Sequence, residues 1–77
     1  MFNDMFNRKY KRAISILNGE IFAYEMVLNR DRNRLHKLKE TGGDESEYQM
    51  YLDEIARYEE RLFALKDLRA KYVLYVH

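Results

Sequence analysis

The chain contains no cysteine, proline or tryptophan, and only three of its 77 residues are glycine. Without cysteine it can form neither disulfides nor thiolate metal sites, and cysteine-based catalysis is excluded. Without proline, and with so little glycine, few irregular loops can be built. No segment approaches the roughly 18 consecutive apolar residues that a bilayer-spanning helix needs. We therefore expect a soluble, cytoplasmic, all-α protein that does not use a membrane as a partner.

The short length and the balanced charge limit the possible functions further. A chain of this size makes one domain at most, and its core is marginal unless a disulfide, a metal or a partner adds stability. Charged residues make up 35% of the chain, yet the formal net charge is only +1. This balance argues against a protein that coats DNA by general electrostatic attraction.

One segment, KETGGDESE at residues 39–47, interrupts the helical pattern. Gly42 and Gly43 can close a helix in the left-handed conformation. Asp44, with Glu47 three residues later, has the spacing of a capping box that begins the next helix. A stop and a start this close together predict an antiparallel helical hairpin. We place its helices at about 4–40 and 45–75 and its turn at 41–44, within a single domain spanning 1–77.

Each predicted helix has a seam of residues spaced three and four apart. The first seam is Tyr10, Ile14, Leu17, Ile21, Tyr24, Leu28, Asp31, Leu35 and Leu38, and the second is Tyr48, Tyr51, Ile55, Tyr58, Leu62, Leu65, Arg69, Tyr72 and Val76. A period of 3.5 residues predicts coiled-coil-like packing. At ~1.5 Å per residue each helix should be roughly 45–50 Å long, and residue i should face roughly residue 85 minus i.

One charged residue interrupts each seam. The simplest interpretation is that Asp31 and Arg69 reach the rim of the interface, where their charges stay in water. The alternative is that each is a partnered polar group that fixes the register. In the predicted register, Asp31 lies near Glu54 and Arg57, and Arg69 lies one turn from Glu20.

Asn18-Gly19 is an ambiguity within the first helix. Asn-Gly is a turn signal, and glycine costs ~1 kcal/mol inside a helix. The apolar spacing nevertheless continues from Leu17 to Ile21, which favours a continuous or kinked helix. A separate short helix at residues 4–17 is the alternative.

The stretch EIFAYEMVLN, residues 20–29, is apolar nearly all the way round a helix. A two-helix hairpin buries only its facing seams, so several large apolar side chains remain outside. Contiguous exposed apolar surface usually marks an interface. We expect two hairpins to associate as a helical bundle through Ile16, Phe22, Ala23, Met26, Val27, Leu52 and Phe63. The alternative is a monomer in which Phe2 and Phe6 fold back over this surface.

No enzyme motif or metal-ligand spacing is present, and no cofactor is expected. His36 lies among Arg34, Lys37 and Lys39 on a helix face, and His77 is the last residue. P-loop, Rossmann and EF-hand patterns are absent. We therefore expect no catalytic activity, no catalytic residues and no metal site.

The open end of the hairpin, where the two chain ends meet, is rich in cations and tyrosines. Such a combination suits phosphate contact and base stacking, although solvated lysine and arginine clusters are common. A site for an anionic partner or ligand would comprise Arg8, Lys9, Tyr10, Lys11, Arg12, Arg69, Lys71 and Tyr75.

Two classes of function follow. Tyrosine, phenylalanine, methionine and arginine are enriched at interfaces. Together with the lack of a catalytic constellation, they favour a homo-oligomeric protein–protein interaction module that acts as an adaptor or inhibitor by occupying a partner protein's surface. The alternative is an oligomer that binds or sequesters a nucleotide or nucleic acid through the open end.

Overall fold

The computed structural model describes residues 2–76 and, from residue 5 onward, their side chains. Helix α1 spans Phe2–Thr41 and helix α2 spans Glu45–Val73, and the described residues form no strand. The helices run antiparallel, because Arg34 in the last third of α1 contacts Tyr51 near the start of α2. At the other end, Tyr10 of α1 contacts Tyr75, just beyond the end of α2. The predicted all-α hairpin is confirmed.

The hairpin is a rod with extents of 61 × 14 × 12 Å. The 40 residues of α1 correspond to ~60 Å at the usual helical rise and account for the long dimension, whereas the 29 residues of α2 correspond to ~43 Å. The helices are therefore less equal in length than the expected 45–50 Å each. As a result, the first turns of α1 extend beyond the end of α2.

The core lies along the two predicted seams. The buried apolar side chains are Leu17, Ile21 and Leu28 from α1, and Tyr51, Ile55 and Leu65 from α2. Toward the open end, Tyr24, Leu62 and Tyr72 pack against the cluster formed by Leu17, Ile21 and Leu65. Full burial of an aliphatic side chain stabilises a fold by about 1.5–3 kcal/mol, and this narrow core holds few of them.

The turn closes α1 and begins α2 with backbone and capping hydrogen bonds. Gly42 has a φ of 65°, and the Gly43 amide donates to the Leu38 carbonyl at 3.0 Å, which is the long bond of a Schellman motif. Oδ1 of Asp44 accepts from the Ser46 amide at 3.2 Å. Asp44 is thus the N-cap of α2, and Glu45 and Glu47 add negative charge in the first turn.

Helix α1 is continuous through Gly19, so the alternative of a separate helix at residues 4–17 is wrong. The same continuity excludes a fold-back of Phe6, because Phe6 lies ~24 Å from Phe22 along one helix axis. The side chain of Phe2 lies outside the described residues. The apolar surface around Phe22 is therefore not covered by the preceding turns of α1.

Candidate interaction surfaces

Asp31 lies in the middle of the seam and is completely buried, so the interpretation that it reaches the rim is wrong. Neither of its carboxylate oxygens accepts a hydrogen bond from a described residue, and Nε of Arg30 lies 3.5 Å from Oδ1. Its negative charge also acts on Arg34 and Tyr58. The Asp31 side chain is too short to reach the rim of the interface, because it points into the seam.

Arg69, the other charged seam residue, is half-buried and has a different partner from the one expected. Its Nη1 atom donates to Oδ1 of Asn18 at 2.8 Å, rather than to Glu20. Arg69 is therefore a polar seam residue with a partner on the other helix, which is the second of the two interpretations. The bond lies between residues 51 positions apart, so it also ties the open half of α1 to the end of α2.

Between the described residues, two ion pairs join the helices, and in each the α2 partner lies six residues beyond the position that the predicted register places opposite. Arg32 reaches Glu59 at 2.7 Å, and Lys66 reaches Glu25 at 3.3 Å. The participating side chains are about half exposed, so each pair contributes only ~0–1 kcal/mol. These pairs therefore add little to the stability of the helix packing.

Two tyrosines at the seam have charged neighbours. The Glu54 carboxylate raises the pKa of Tyr58 above its ordinary value, first through its charge, then with burial and a hydrogen bond to the same carboxylate adding to the effect. The Tyr58 ring also packs against Tyr24, with centroids 5.6 Å apart. The Tyr51 hydroxyl accepts a hydrogen bond from Arg34 at 3.2 Å and so raises the pKa of that guanidinium. Both tyrosines therefore serve the helix packing.

Most of the predicted association residues are exposed. Phe22 and Met26 are 64% and 57% exposed, Ile16 is 59% exposed, and Phe63 is 75% exposed. The remaining members are the exposed Ala23 and the half-buried Val27 and Leu52. Among the described residues, Met5, Leu74 and Tyr75 at the open end are as exposed as Met26. Phe22, Met26, Ile16 and Phe63 are the most exposed large apolar side chains along the middle of the rod, which makes them candidates for contact with another molecule.

These seven residues do not form a single face. Ala23 and Val27 join Tyr24 and Tyr58 of the seam around a depression of about 260 Å³ on one flank of the hairpin, and helical spacing places Ile16 on the same flank. Phe22 and Met26 instead lie on the side of α1 that faces away from α2. Phe63 occupies the equivalent outer position on α2. The heptad pattern identified the exposed residues, but it grouped three surfaces into one.

The open end brings together only part of the predicted anionic site. Arg8, Lys9 and Arg12 line a depression of about 380 Å³, and Lys11 is exposed on another side of α1. Tyr10 stacks on Tyr75 with centroids 5.1 Å apart and contacts Tyr72 at 5.6 Å. Arg69 binds Asn18, and Lys71 pairs with Asp67 at 3.3 Å, so neither joins the depression.

No catalytic or metal constellation emerges from the described part of the chain. Nε2 of His36 lies 3.0 Å from Oε1 of Glu40 on an exposed helix face, and His77 lies outside the described residues. Within residues 2–76, no group of three or more histidine, cysteine or carboxylate side chains could hold a metal ion. None of the described helices is long and apolar enough to cross a membrane.

No protein-family model, curated protein or solved structure matches this chain. The chain's own exposed side chains and charges are therefore the basis on which a function is proposed.

Proposed function

We propose that this protein is a non-enzymatic, cytoplasmic interaction module that self-associates through its exposed apolar surfaces and acts as an adaptor or inhibitor by occupying a partner protein. The observation that carries the proposal is the exposure of Phe22 and Met26, 64% and 57% in a rod whose described residues do not cover them. They lie one turn apart on the outside of α1, so they form one contiguous patch.

The size of the apolar contribution supports self-association. Burying both side chains would contribute on the order of 3–6 kcal/mol. A two-helix hairpin with so few buried apolar side chains has little stability to spare, so association would supply a large share of the total. A homo-oligomer would also present several copies of its remaining exposed surface to a partner.

Sedimentation equilibrium tests self-association directly. The unmodified protein should form oligomers at high micromolar concentration, and its melting temperature should rise with concentration, as mass action requires. The double variant Phe22→Glu/Met26→Glu should be monomeric and less stable, because two carboxylates would have to be desolvated in the contact. Thr41→Glu, which adds a carboxylate at an exposed position beside the turn, is the control and should associate normally. A 9.4 kDa species whose melting temperature is independent of dilution would contradict self-association.

A second candidate function is the binding of a phosphate-containing ligand, a nucleotide or nucleic acid, at the open end. It is favoured by the three cations Arg8, Lys9 and Arg12, which line one depression at the open end, whereas the Tyr10–Tyr75 stack does not line it. Such binding should weaken steeply with salt.

Titration of a fluorescent single-stranded oligonucleotide and of ATP tests this second function. Reversal of the three cations to glutamate should abolish binding and leave helicity unchanged. Reversal of Arg57 and Arg61, two exposed cations of α2 away from the open end, is the control. Equal loss from both variants would indicate nonspecific attraction and would argue against a site.

A further inference from the structure

Each helix carries a second stripe of exposed residues on the side that faces away from the other helix. We define the outer stripe of α1 as Arg12, Gly19, Phe22, Met26 and Arg30, and the outer stripe of α2 as Asp53, Ala56, Glu60, Phe63 and Asp67. All ten residues are exposed. Within each stripe the spacing is three, four or seven residues, so its members lie on one side of the helix. The apolar members, Phe22 and Met26 on α1 and Ala56 and Phe63 on α2, give each helix a second, smaller apolar surface opposite its seam.

The most exposed aromatic residues of the two stripes lie at the same height along the rod. The Arg34–Tyr51 and Tyr10–Tyr75 contacts fix the register of the hairpin, in which residue i lies level with roughly residue 85 minus i. Phe22 is therefore level with Phe63, although the two rings point away from the hairpin on opposite sides. Their exposures are 64% and 75%.

The charges of the two stripes are opposite. Arg12 and Arg30 flank the apolar centre of the α1 stripe, and Arg30 lies 3.5 Å from the buried Asp31. The α2 stripe contains Asp53, Glu60 and Asp67, of which Asp67 is paired with Lys71. Arg30 is level with a point within about 3 Å of Asp53 along the axis in the same register. Two α1 stripes would bring like charges together, and so would two α2 stripes. Contact of an α1 stripe with an α2 stripe would pair opposite charges.

We propose that the outer stripe of α1 docks on the outer stripe of α2 in a second copy of this chain, with Phe22 against Phe63. The proposal deepens the self-association described above and rests on it. The two copies lie side by side in the same direction, and the new contact has the antiparallel helix arrangement of the hairpin itself. Because the two surfaces in contact differ, the interface is heterologous and repeats from one copy to the next, as a closed ring or a filament.

The contact area predicts a weak contact between any two copies. Overlap along the ~43 Å of α2, with a width of ~10 Å, buries roughly 430 Å² per partner, about half of the ~800 Å² of a standard interface. One contact is therefore weak. Each copy doubles its buried area by using both of its outer stripes, one on each side.

A mixing experiment tests this arrangement. Phe22→Glu removes the α1 stripe and keeps the α2 stripe, and Phe63→Glu does the reverse. Each variant alone should weaken self-association by about a hundredfold. Mixed in equal amounts, they should form a species of two chains, joined through the one intact stripe of each. Sedimentation velocity at high micromolar concentration measures both results, and circular dichroism shows whether each variant stays helical.

Charge variants give the same test without changing the apolar residues. Arg12→Glu/Arg30→Glu and Asp53→Lys/Glu60→Lys should each weaken association about tenfold, and their mixture should recover it. If unmodified protein associates but either mixture stays monomeric, or if Phe63→Glu associates normally, the contact is symmetric and this proposal fails. If unmodified protein is monomeric at every concentration, the proposed self-association fails as well.

Discussion

Oδ1 of Asp31 lies 3.5 Å from Nε of Arg30, although the Asp31 side chain is only 1% exposed and that of Arg30 is 55% exposed. The Asp31 carboxylate is desolvated, whereas the neighbouring Arg30 guanidinium remains in contact with solvent. Neither oxygen accepts a hydrogen bond from a described residue. Because desolvation of a charge costs several kcal/mol, the hairpin carries a destabilising group at the centre of its seam.

Replacement of this carboxylate should therefore stabilise the protein. Asp31→Leu continues the apolar seam between Leu28 and Leu35 and should raise the free energy of unfolding by about 1–4 kcal/mol. Urea denaturation measures the change, and Glu40→Leu at an exposed position beside the turn is the control, expected to shift stability by less than ~0.5 kcal/mol. A loss of stability in Asp31→Leu would show that the carboxylate makes a favourable interaction.

High pH should destabilise the hairpin through Tyr58. The Glu54 carboxylate raises the pKa of Tyr58 above 10.0, so the fold favours the protonated phenol. This contribution to stability is fully present below the unfolded pKa of about 10 and is lost as pH rises through the folded pKa. Melting temperatures of the unmodified protein and of Tyr58→Phe should therefore diverge above that pH, with a smaller loss in the variant. Parallel curves would show that Tyr58 does not couple to folding.

Replacement by alanine should change the stability of the protein in opposite directions at Gly19 and at Gly42. Gly19 lies inside α1 with open space where the methyl group of an alanine would lie, so Gly19→Ala should stabilise the helix by up to ~1 kcal/mol. Gly42 has a φ of 65°, where alanine is strained, so Gly42→Ala should destabilise by about 1–2 kcal/mol. Thermal unfolding measures both changes. Stabilisation by Gly42→Ala would mean that the turn does not use the left-handed conformation.

The seam should account for most of the stability. Leu28 is 1% exposed, and Leu28→Ala should destabilise by about 2–5 kcal/mol, enough to unfold much of the protein at low concentration. Leu68 is 38% exposed, and Leu68→Ala, which deletes the same atoms from α2, should cost much less. If denaturant titrations show that the two variants lose similar amounts of the free energy of unfolding, Leu68 is buried in the protein as it exists in solution.

Helical periodicity was sufficient to predict most of the fold. Spacing of three and four residues placed Leu17, Ile21 and Leu28 on the facing side of α1, and all three are buried. The Gly42 turn could be predicted because only glycine readily adopts a positive φ in a helix-closing motif. The persistence of the apolar spacing on both sides of Gly19 correctly favoured a continuous helix.

The same periodicity could not predict side-chain partners. It shows which direction a residue faces but not how far its side chain reaches, so the burial of Asp31 and the bond from Arg69 to Asn18 were not foreseen. Long flexible side chains such as Arg32 choose among several carboxylates within reach, and the choice depends on rotamers. The predicted interface and anionic site were divided among separate surfaces because a list of exposed residues does not record the angle around the helix.

The core of this hairpin is a single file of side chains along a rod 61 Å long. A residue near the turn therefore has no contact with one near the open end, and each part of the core depends on its immediate neighbours. The two helices can then separate locally at the open end, without separating near the turn, where Gly42 keeps its closed conformation. Because the contacts nearest the turn join residues that are close in sequence, closure can proceed outward from it, and folding should be fast.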